Sequence, residues 1–206
     1  EALAAKILEL RNDPEKTLKF GCNSFLSYKE KYRLNYSVTE KISDIEEIKN
    51  NIIRESLKSM NINSRIYVST ISDVPLRSGL GSSSAFTGGL VSALSHKFKI
   101  NLSKKRLAEI ACDIEINKLH SPIGKQDQYA SVYGGINKID FNNNNKVHVK
   151  KISLSKKFKN DFEKSFLLLW SGVQRNANTV LLDQSNKMNT KIDYYIEMKR
   201  IAKDGY

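Results

Sequence analysis

The chain is poor in the residues that mark most special architectures. It holds only two cysteines, Cys22 and Cys112, among 206 residues. They stand far apart, form no C-x-x-C pair and have no histidine at metal-ligand spacing. A disulfide scaffold and a zinc module are thereby excluded, and free, mostly buried thiols in a reducing compartment are expected. Three prolines make no proline-rich linker, and no internal repeat is visible. No apolar run approaches the roughly 20 residues of a membrane helix; the longest near-continuous one is Phe166 to Trp170. The amino end alternates apolar and acidic residues, with no basic stretch leading into a long apolar one, so no signal peptide is read there. A cytoplasmic chain with no membrane partner is expected. The three histidines, His96, His120 and His148, fall in no catalytic-triad order.

What is abundant is positive charge: 34 Lys and Arg against 22 Asp and Glu, a net +12. The excess reads first as lysine on solvated faces and next as attraction of an anionic substrate such as a nucleotide or sugar phosphate. Nucleic acid comes last, because no nucleic-acid motif accompanies the charge. A hydrophobic content of 40% is enough for a core, and the length suits one domain or two small ones.

Periodicity gives a mixed pattern. A helix over Glu1 to Leu10 stops at Asn12-Asp13-Pro14, and Lys19 to Tyr28 is a weak strand candidate. Tyr32, Leu34, Tyr36 and Val38 alternate as one face of a strand. Ser43, with Glu46 at the capping-box position, predicts a helix carrying Ile45, Ile48, Ile52, Ile53 and Leu57 inward to about Met60. A strand over Arg65 to Ile71 follows, then, past a Gly/Ser loop, an apolar helix over Ala85 to Phe98, in which Gly88-Gly89 costs about 1 kcal/mol per glycine and points to close packing against a neighbour or a ligand. Ser103 caps a helix over Lys104 to Leu119, Gln126 to Tyr133 makes two more turns, and Gly134-Gly135 ends them. Ile136 to Phe141 and Lys146 to Ile152 flank an Asn-rich tip as a hairpin. Ser165 to Trp170 reads as a buried strand, and Asn176 to Met188 and Ile192 to Ala202 read as helices. Early strands and later helices argue α+β rather than strict βαβ alternation.

Two stretches stand out. Between the strand and the helix to Phe98 lies Pro75-Leu76-Arg77-Ser78-Gly79-Leu80-Gly81-Ser82-Ser83-Ser84-Ala85. Free backbone N–H groups at a helix start favour an anion, glycines let the backbone approach it, and serines add hydroxyls as donors or metal ligands. The loop is not a Walker A motif, because no lysine follows Gly81 at the required spacing. It is not the dinucleotide fingerprint, because Ser84 stands at the third glycine and no acidic residue follows about 20 positions on. A nucleophile elbow fails at Ala85. The plain alternative, a serine-capped helix entry, needs far less than G-L-G-S-S-S. The second stretch runs from Glu115 through Pro122 to Gly135 and carries two carboxylates, Glu115 and Asp127. Singly, each reads as a solvated helix residue or a cap. Beside a phosphate loop, they are what phosphoryl transfer uses: one carboxylate helps a serine hold Mg²⁺, and another orients or deprotonates the attacking hydroxyl.

Pro75-(x)3-Gly-Leu-Gly-Ser-Ser-Ser-Ala resembles the phosphate-binding motif of the GHMP kinases (galactokinase, homoserine kinase, mevalonate kinase, phosphomevalonate kinase). Pro122-Ile-Gly-Lys-Gln-Asp-Gln-Tyr-Ala-Ser-Val-Tyr-Gly-Gly is similar to the branch holding the D-glycero-D-manno-heptose 7-phosphate kinases, as is Ser171-Gly172-Val173-Gln174-Arg175-Asn176-Ala177. The resemblance runs from about Tyr32 to Gln184. It implies a ribosomal-S5-domain-2-like N-terminal domain over residues 1–155 and the start of a ferredoxin-like C-terminal domain over 156–206. It implies ATP and Mg²⁺ as cofactors and transfer of phosphate to a sugar hydroxyl, the anomeric one of a heptose 7-phosphate first. By position, Gly79, Leu80, Gly81, Ser82, Ser83 and Ser84 match the phosphate cradle. Ser83 and Glu115 match the Mg²⁺ ligands; Glu115 lies seven residues before Pro122, as in mevalonate kinase. Asp127, seven residues before Gly134, matches the catalytic Asp. Lys125 and Arg175 are the candidates for the substrate's phosphate. A homodimer is left open, and nucleic acid is not expected.

Leu76 and Arg77 stand where relatives carry small residues, and Ser171 replaces a threonine. Nothing before Tyr32 matches the family's opening R-x-P-x-R-(I/V)-x-F-x-G-G-G-T-D segment, and its third, glycine-rich motif does not follow. The chain is therefore expected to be a fragment, or a product whose amino end has been replaced. The alternative function is a non-catalytic relative that binds nucleotide or a partner chain.

Overall fold

The computed structural model describes residues 31–72, 79–167, 169, 181, 187 and 189–205. The expected helix at Glu1 to Leu10, the strand at Lys19 to Tyr28, Cys22, the helix at Asn176 to Met188 except Leu181 and Lys187, and the stretch around Arg175 fall outside them, as do residues 73–78 of the Gly/Ser loop. The chain divides into two compact units. Of the described residues, those up to Lys49 together with Ile62–Ile71 make one, and Asn50–Asn61 with those from Ser72 onward make the other.

The first unit is a three-stranded sheet of order β2-β1-β3, with β1 Tyr32–Asn35, β2 Thr39–Ile42 and β3 Ile66–Ser69. β1 pairs antiparallel with β2 and parallel with β3, setting Tyr32 opposite Ile66 and Leu34 opposite Val68. Tyr32 and Leu34 are fully buried, as the alternation requires. The strand expected to reach Val38 instead turns. The Tyr36 N–H donates to the Val38 carbonyl at 3.0 Å, and Val38 is exposed. The turn lets Glu40, itself buried, accept from the Tyr36 hydroxyl and from the Lys49 N–H at 2.9 Å. Alternation alone cannot show that a strand has doubled back, because residues beyond the turn keep the same period.

The expected single helix from Ser43 to Met60 is two pieces. Asp44, not Ser43, caps a 3₁₀ turn at Ile45–Glu47. Asn50 then caps α1 (Asn51–Ser59), accepting from the Ile53 N–H at 3.1 Å. Two Asx caps within seven positions divide the run, because each side chain satisfies N–H groups that a continuous helix would use.

The second unit is built on α2 (Ser82–Lys97), which packs against α1, against α3 (Lys104–Cys112) and against α4 (Gln126–Tyr133). Leu90, Val91 and Leu94 of α2, Ile53 and Leu57 of α1, and Leu107, Ala108 and Ala111 of α3 are buried; each large aliphatic stabilises by about 1.5–3 kcal/mol. Gly88 has a contact reason for being glycine: a Cβ there would stand 3.0 Å from Val132 Cγ2 on α4. A Cβ on Gly89 would meet nothing within 4 Å among the described residues. The close α2–α4 approach at Gly88 brings the amino ends of these two helices together.

The hairpin forms as read, with β4 Asn137–Phe141 antiparallel to β5 Val147–Lys151. Ala108, Cys112, Tyr129 and Val147 form a core cluster joining α3, α4 and the hairpin. Further on, α5 (Lys156–Lys164), capped by Ser155, and α6 (Ile192–Asp204) complete the described elements. The buried strand expected at Ser165 to Trp170 is corrected. Ser165 ends α5, and Phe166, Leu167 and Leu169 are exposed. An apolar run of that length does not fix its own burial; the Phe158, Phe162 and Phe166 rings instead line up at helical spacing, 6.1 and 4.5 Å between centroids. Among the described residues no helix is long and apolar enough to cross a membrane.

Candidate active site

The loop delivers its serines directly into α2. The helix begins at Ser82, three residues earlier than the apolar pattern shows, with Gly81 as its N-cap at φ +67°. An L side chain in that left-handed region costs about 1–2 kcal/mol. Gly79 shares it at φ +76°. Gly81 brings no side-chain acceptor to the helix start, and the first turn carries no acidic residue. The N–H groups of the first turn, from Ser82 to Ser84, thus lack intrahelical partners at the positive end of a sixteen-residue helix. Gly79, Leu80 and Ser83 are exposed, Gly81 and Ser82 half-buried, and Ser84 buried.

Glu115 arrives from a different direction. The helix expected to run unbroken to Leu119 is α-helical only to Cys112; Asp113–Lys118 is a π turn. Such turns are rare and concentrate at functional sites. Wider winding changes which residues of the turn face inward. Ile114 and Glu115 are both buried, with Glu115 only 2% exposed. Its carboxylate is held at both oxygens. Ser83 Oγ donates to Oε1 at 2.6 Å, and Gln128 Nε2 donates to Oε2 at 2.7 Å. Thr87 in turn donates from Oγ1 to the Ser83 carbonyl at 3.0 Å, tying the first turn of α2 to the second.

Asp127 lies in the first turn of α4, half-buried. A Cβ built on Gly81 would stand 3.2 Å from Asp127 Oδ2 and 3.3 Å from its Cγ. Gly81 is thus glycine twice over, for its backbone angle and for the carboxylate beside it. Four features meet at one point: an uncapped helix start, a hydroxyl, a buried carboxylate and a half-open carboxylate. The donors suit a hard cation. Ser83 Oγ and a Glu115 oxygen are oxygen ligands of the kind Mg²⁺ takes in small number, filling the rest of its shell from phosphates and water. Among the described residues, no group of three or more His, Cys, Asp or Glu side chains is placed to hold a metal.

The other predicted positions fare differently. Lys125 does not turn toward this point. Its Nζ donates to Asn145 Oδ1 at 3.4 Å, and it lines a shallow pocket of about 360 Å³ with Gln126, Asn142 and Lys146. Arg175 lies outside the described residues. Gln128 was missed by the sequence reading, although a signal existed. It lies four residues before Val132 on a helix, which puts a polar residue on the face that packs inward.

The site and fold together define a class: the α+β architecture is that of the GHMP kinases. Residues 46–135 match the family model described as GHMP kinases N terminal domain. The chain is 30% identical over 166 residues to the D-glycero-alpha-D-manno-heptose 7-phosphate kinase of Campylobacter jejuni, an alignment covering 81% of this chain and 48% of that protein. It is 35% identical over 104 residues to the homoserine kinase of Sulfurisphaera tokodaii, covering 50% and 33%. A solved D-glycero-D-manno-heptose 1-phosphate kinase from Bacteroides thetaiotaomicron superposes with a TM-score of 0.60 at 23% identity, over 65% of this chain and 48% of that one; at that identity the likeness is one of fold. These relatives are kinases. Residues 46–135 of this chain are a GHMP kinase N-terminal domain, and the chain spans about half the length of the first curated relative it matches.

Proposed function

We propose that this protein takes part in ATP-dependent phosphorylation of a sugar hydroxyl, the anomeric hydroxyl of D-glycero-D-manno-heptose 7-phosphate being the first candidate. One observation carries the reading: Ser83, Glu115 and Asp127, from three separate elements, converge on the uncapped start of α2.

In this reading the first-turn N–H groups of α2 and the backbone from Gly79 to Ser84 cradle the nucleotide phosphates. Ser83 Oγ and Glu115 would hold Mg²⁺. Bound there, the cation would neutralise charge on the phosphates. Asp127 orients the sugar hydroxyl and accepts its proton as the oxygen bonds to the terminal phosphorus and the bond to the bridging oxygen of ADP breaks. Lys125 and Arg175 are assigned to the substrate's own phosphate; the pocket that Lys125 shares with Lys146 supports the first.

The test is ATP consumption by the purified chain across a panel of sugar phosphates, with Asp127→Ala and Glu115→Ala alongside. Turnover with a heptose 7-phosphate that both substitutions abolish is expected. Unchanged turnover in both variants overturns the assigned roles. Nucleotide binding without turnover on any sugar favours a binding module over an enzyme.

A further inference from the structure

We propose that Gln128 is a positioning residue that sets the carboxylate plane of Glu115 for the cation, a role resting on the kinase reading above. Gln128 is 0% exposed. Its Nε2 donates to Glu115 Oε2 at 2.7 Å, while Ser83 Oγ donates to Oε1 at 2.6 Å. One carboxylate oxygen thus faces the helix start and the other is fastened to the protein interior. Rotation about the Glu115 Cγ–Cδ bond, which would carry Oε1 away from Ser83, breaks the Gln128 bond.

The amide bears a cost for this arrangement. Gln128 Oε1 is buried with no hydrogen-bond partner among the described residues, and a stranded buried acceptor costs about 1–3 kcal/mol. Turning the amide over would set its carbonyl oxygen against the Glu115 carboxylate, so the Glu115 bond fixes the orientation that leaves Oε1 stranded. A residue kept only to fill this space would be leucine or methionine, which strands nothing. Gln128 also follows Asp127 on α4. One helical turn therefore presents one carboxylate to the site and steadies the other. Outer hydrogen-bond partners of metal ligands typically govern about 10–100-fold in metal affinity.

The experiment measures binding of a non-hydrolysable ATP analogue to the 206-residue chain, with Mn²⁺ present and again with chelator, for the wild type, Gln128→Met and Gln128→Leu. Circular dichroism and melting of each variant serve as the folding control, and whichever variant folds is used. A roughly 10-fold or greater loss of Mn²⁺-dependent affinity is expected, with metal-free analogue affinity within about twofold of wild type. In a Glu115→Gln background, Gln128→Met should cost no further Mn²⁺-dependent affinity, because the bond it serves is already lost. Equal losses with and without Mn²⁺ mark a merely structural residue and overturn the proposal, as does wild-type Mn²⁺ affinity in the variant that folds. A wild-type chain that binds no analogue under either condition overturns the kinase reading itself, and this inference with it.

Discussion

Replacing Gly81 with alanine tests the site geometry most directly, because two separable costs fall on one atom. At φ +67° an alanine pays about 1–2 kcal/mol for the left-handed backbone. Its Cβ would also lie 3.2 Å from Asp127 Oδ2 and 3.3 Å from Asp127 Cγ, closer than ordinary van der Waals contact. Overpacking costs about 1–3 kcal/mol, and since Asp127 is half-buried and can yield, the low end applies. Gly79→Ala is the control, with φ +76° and, among the described residues, nothing within 4 Å of its Cβ, so it carries the backbone cost alone. Urea unfolding should therefore rank Gly81→Ala below Gly79→Ala by about 1 kcal/mol. In a Gly81→Ala/Asp127→Ala double variant, removing the carboxylate should relieve the crowding and leave the backbone cost. The two substitutions then couple favourably by about 1 kcal/mol, beyond the roughly 0.5 kcal/mol scatter of independent sites. Strict additivity, or equal destabilisation at Gly79 and Gly81, would refute the placement of Asp127 against the helix start.

Glu115→Ala strands the fully buried Gln128 amide and should lower stability by about 1–3 kcal/mol, read by urea unfolding; an unchanged midpoint would contradict the buried bond. Ser103 accepts from the Arg106 N–H at 3.2 Å as the cap of α3, so Ser103→Ala should cost about 1 kcal/mol, visible as a lower melting temperature. Burial, reinforced by Glu115 and Glu109 against an opposing Lys125, pushes the Cys112 thiol up from 9.0 to about 12. Burial first, then Cys112, Glu109 and Tyr133, pushes the Tyr129 hydroxyl up to about 12. Between about pH 9 and 12 the folded state thus holds protons the unfolded chain has released, so stability falls as pH rises through that window. Unfolding followed against pH checks this, with Cys112→Ala expected to flatten the slope. Native Cys112 should also resist alkylation at pH 8 and react once the chain is unfolded.

Much of the second unit was readable residue by residue. The start of α3 at Ser103, the two turns from Gln126 to Tyr133 and the Asn-tipped hairpin all rest on local causes: a cap, a period and a glycine stop. The Gly88-Gly89 pair points to close packing, and Val132 supplies the neighbour at Gly88 but not at Gly89. Where the reading failed, a competing local or long-range partner decided. Asn50 and Asp44 divided a helix that periodicity joined, and a turn at Tyr36 to Val38 folded a strand back on itself. The run at Ser165 to Trp170 was apolar enough for a core, yet Ser165 closes a helix and its described neighbours lie in the open.

The sequence by itself determined the chemistry on offer. A hydroxyl-rich glycine loop opening a helix, and two carboxylates twelve positions apart, name the kinds of groups available, because residue type and the rules of helix starts are local. Tertiary structure decided how they combine. The π turn rotates Glu115 inward, the Gly88–Val132 contact draws α2 and α4 together, and Gln128 fastens the carboxylate between them. None of these can be read from spacing. A hydrogen bond between Ser83 and Glu115 joins residues thirty-two positions apart, and only the packing of the intervening helices sets the distance between them.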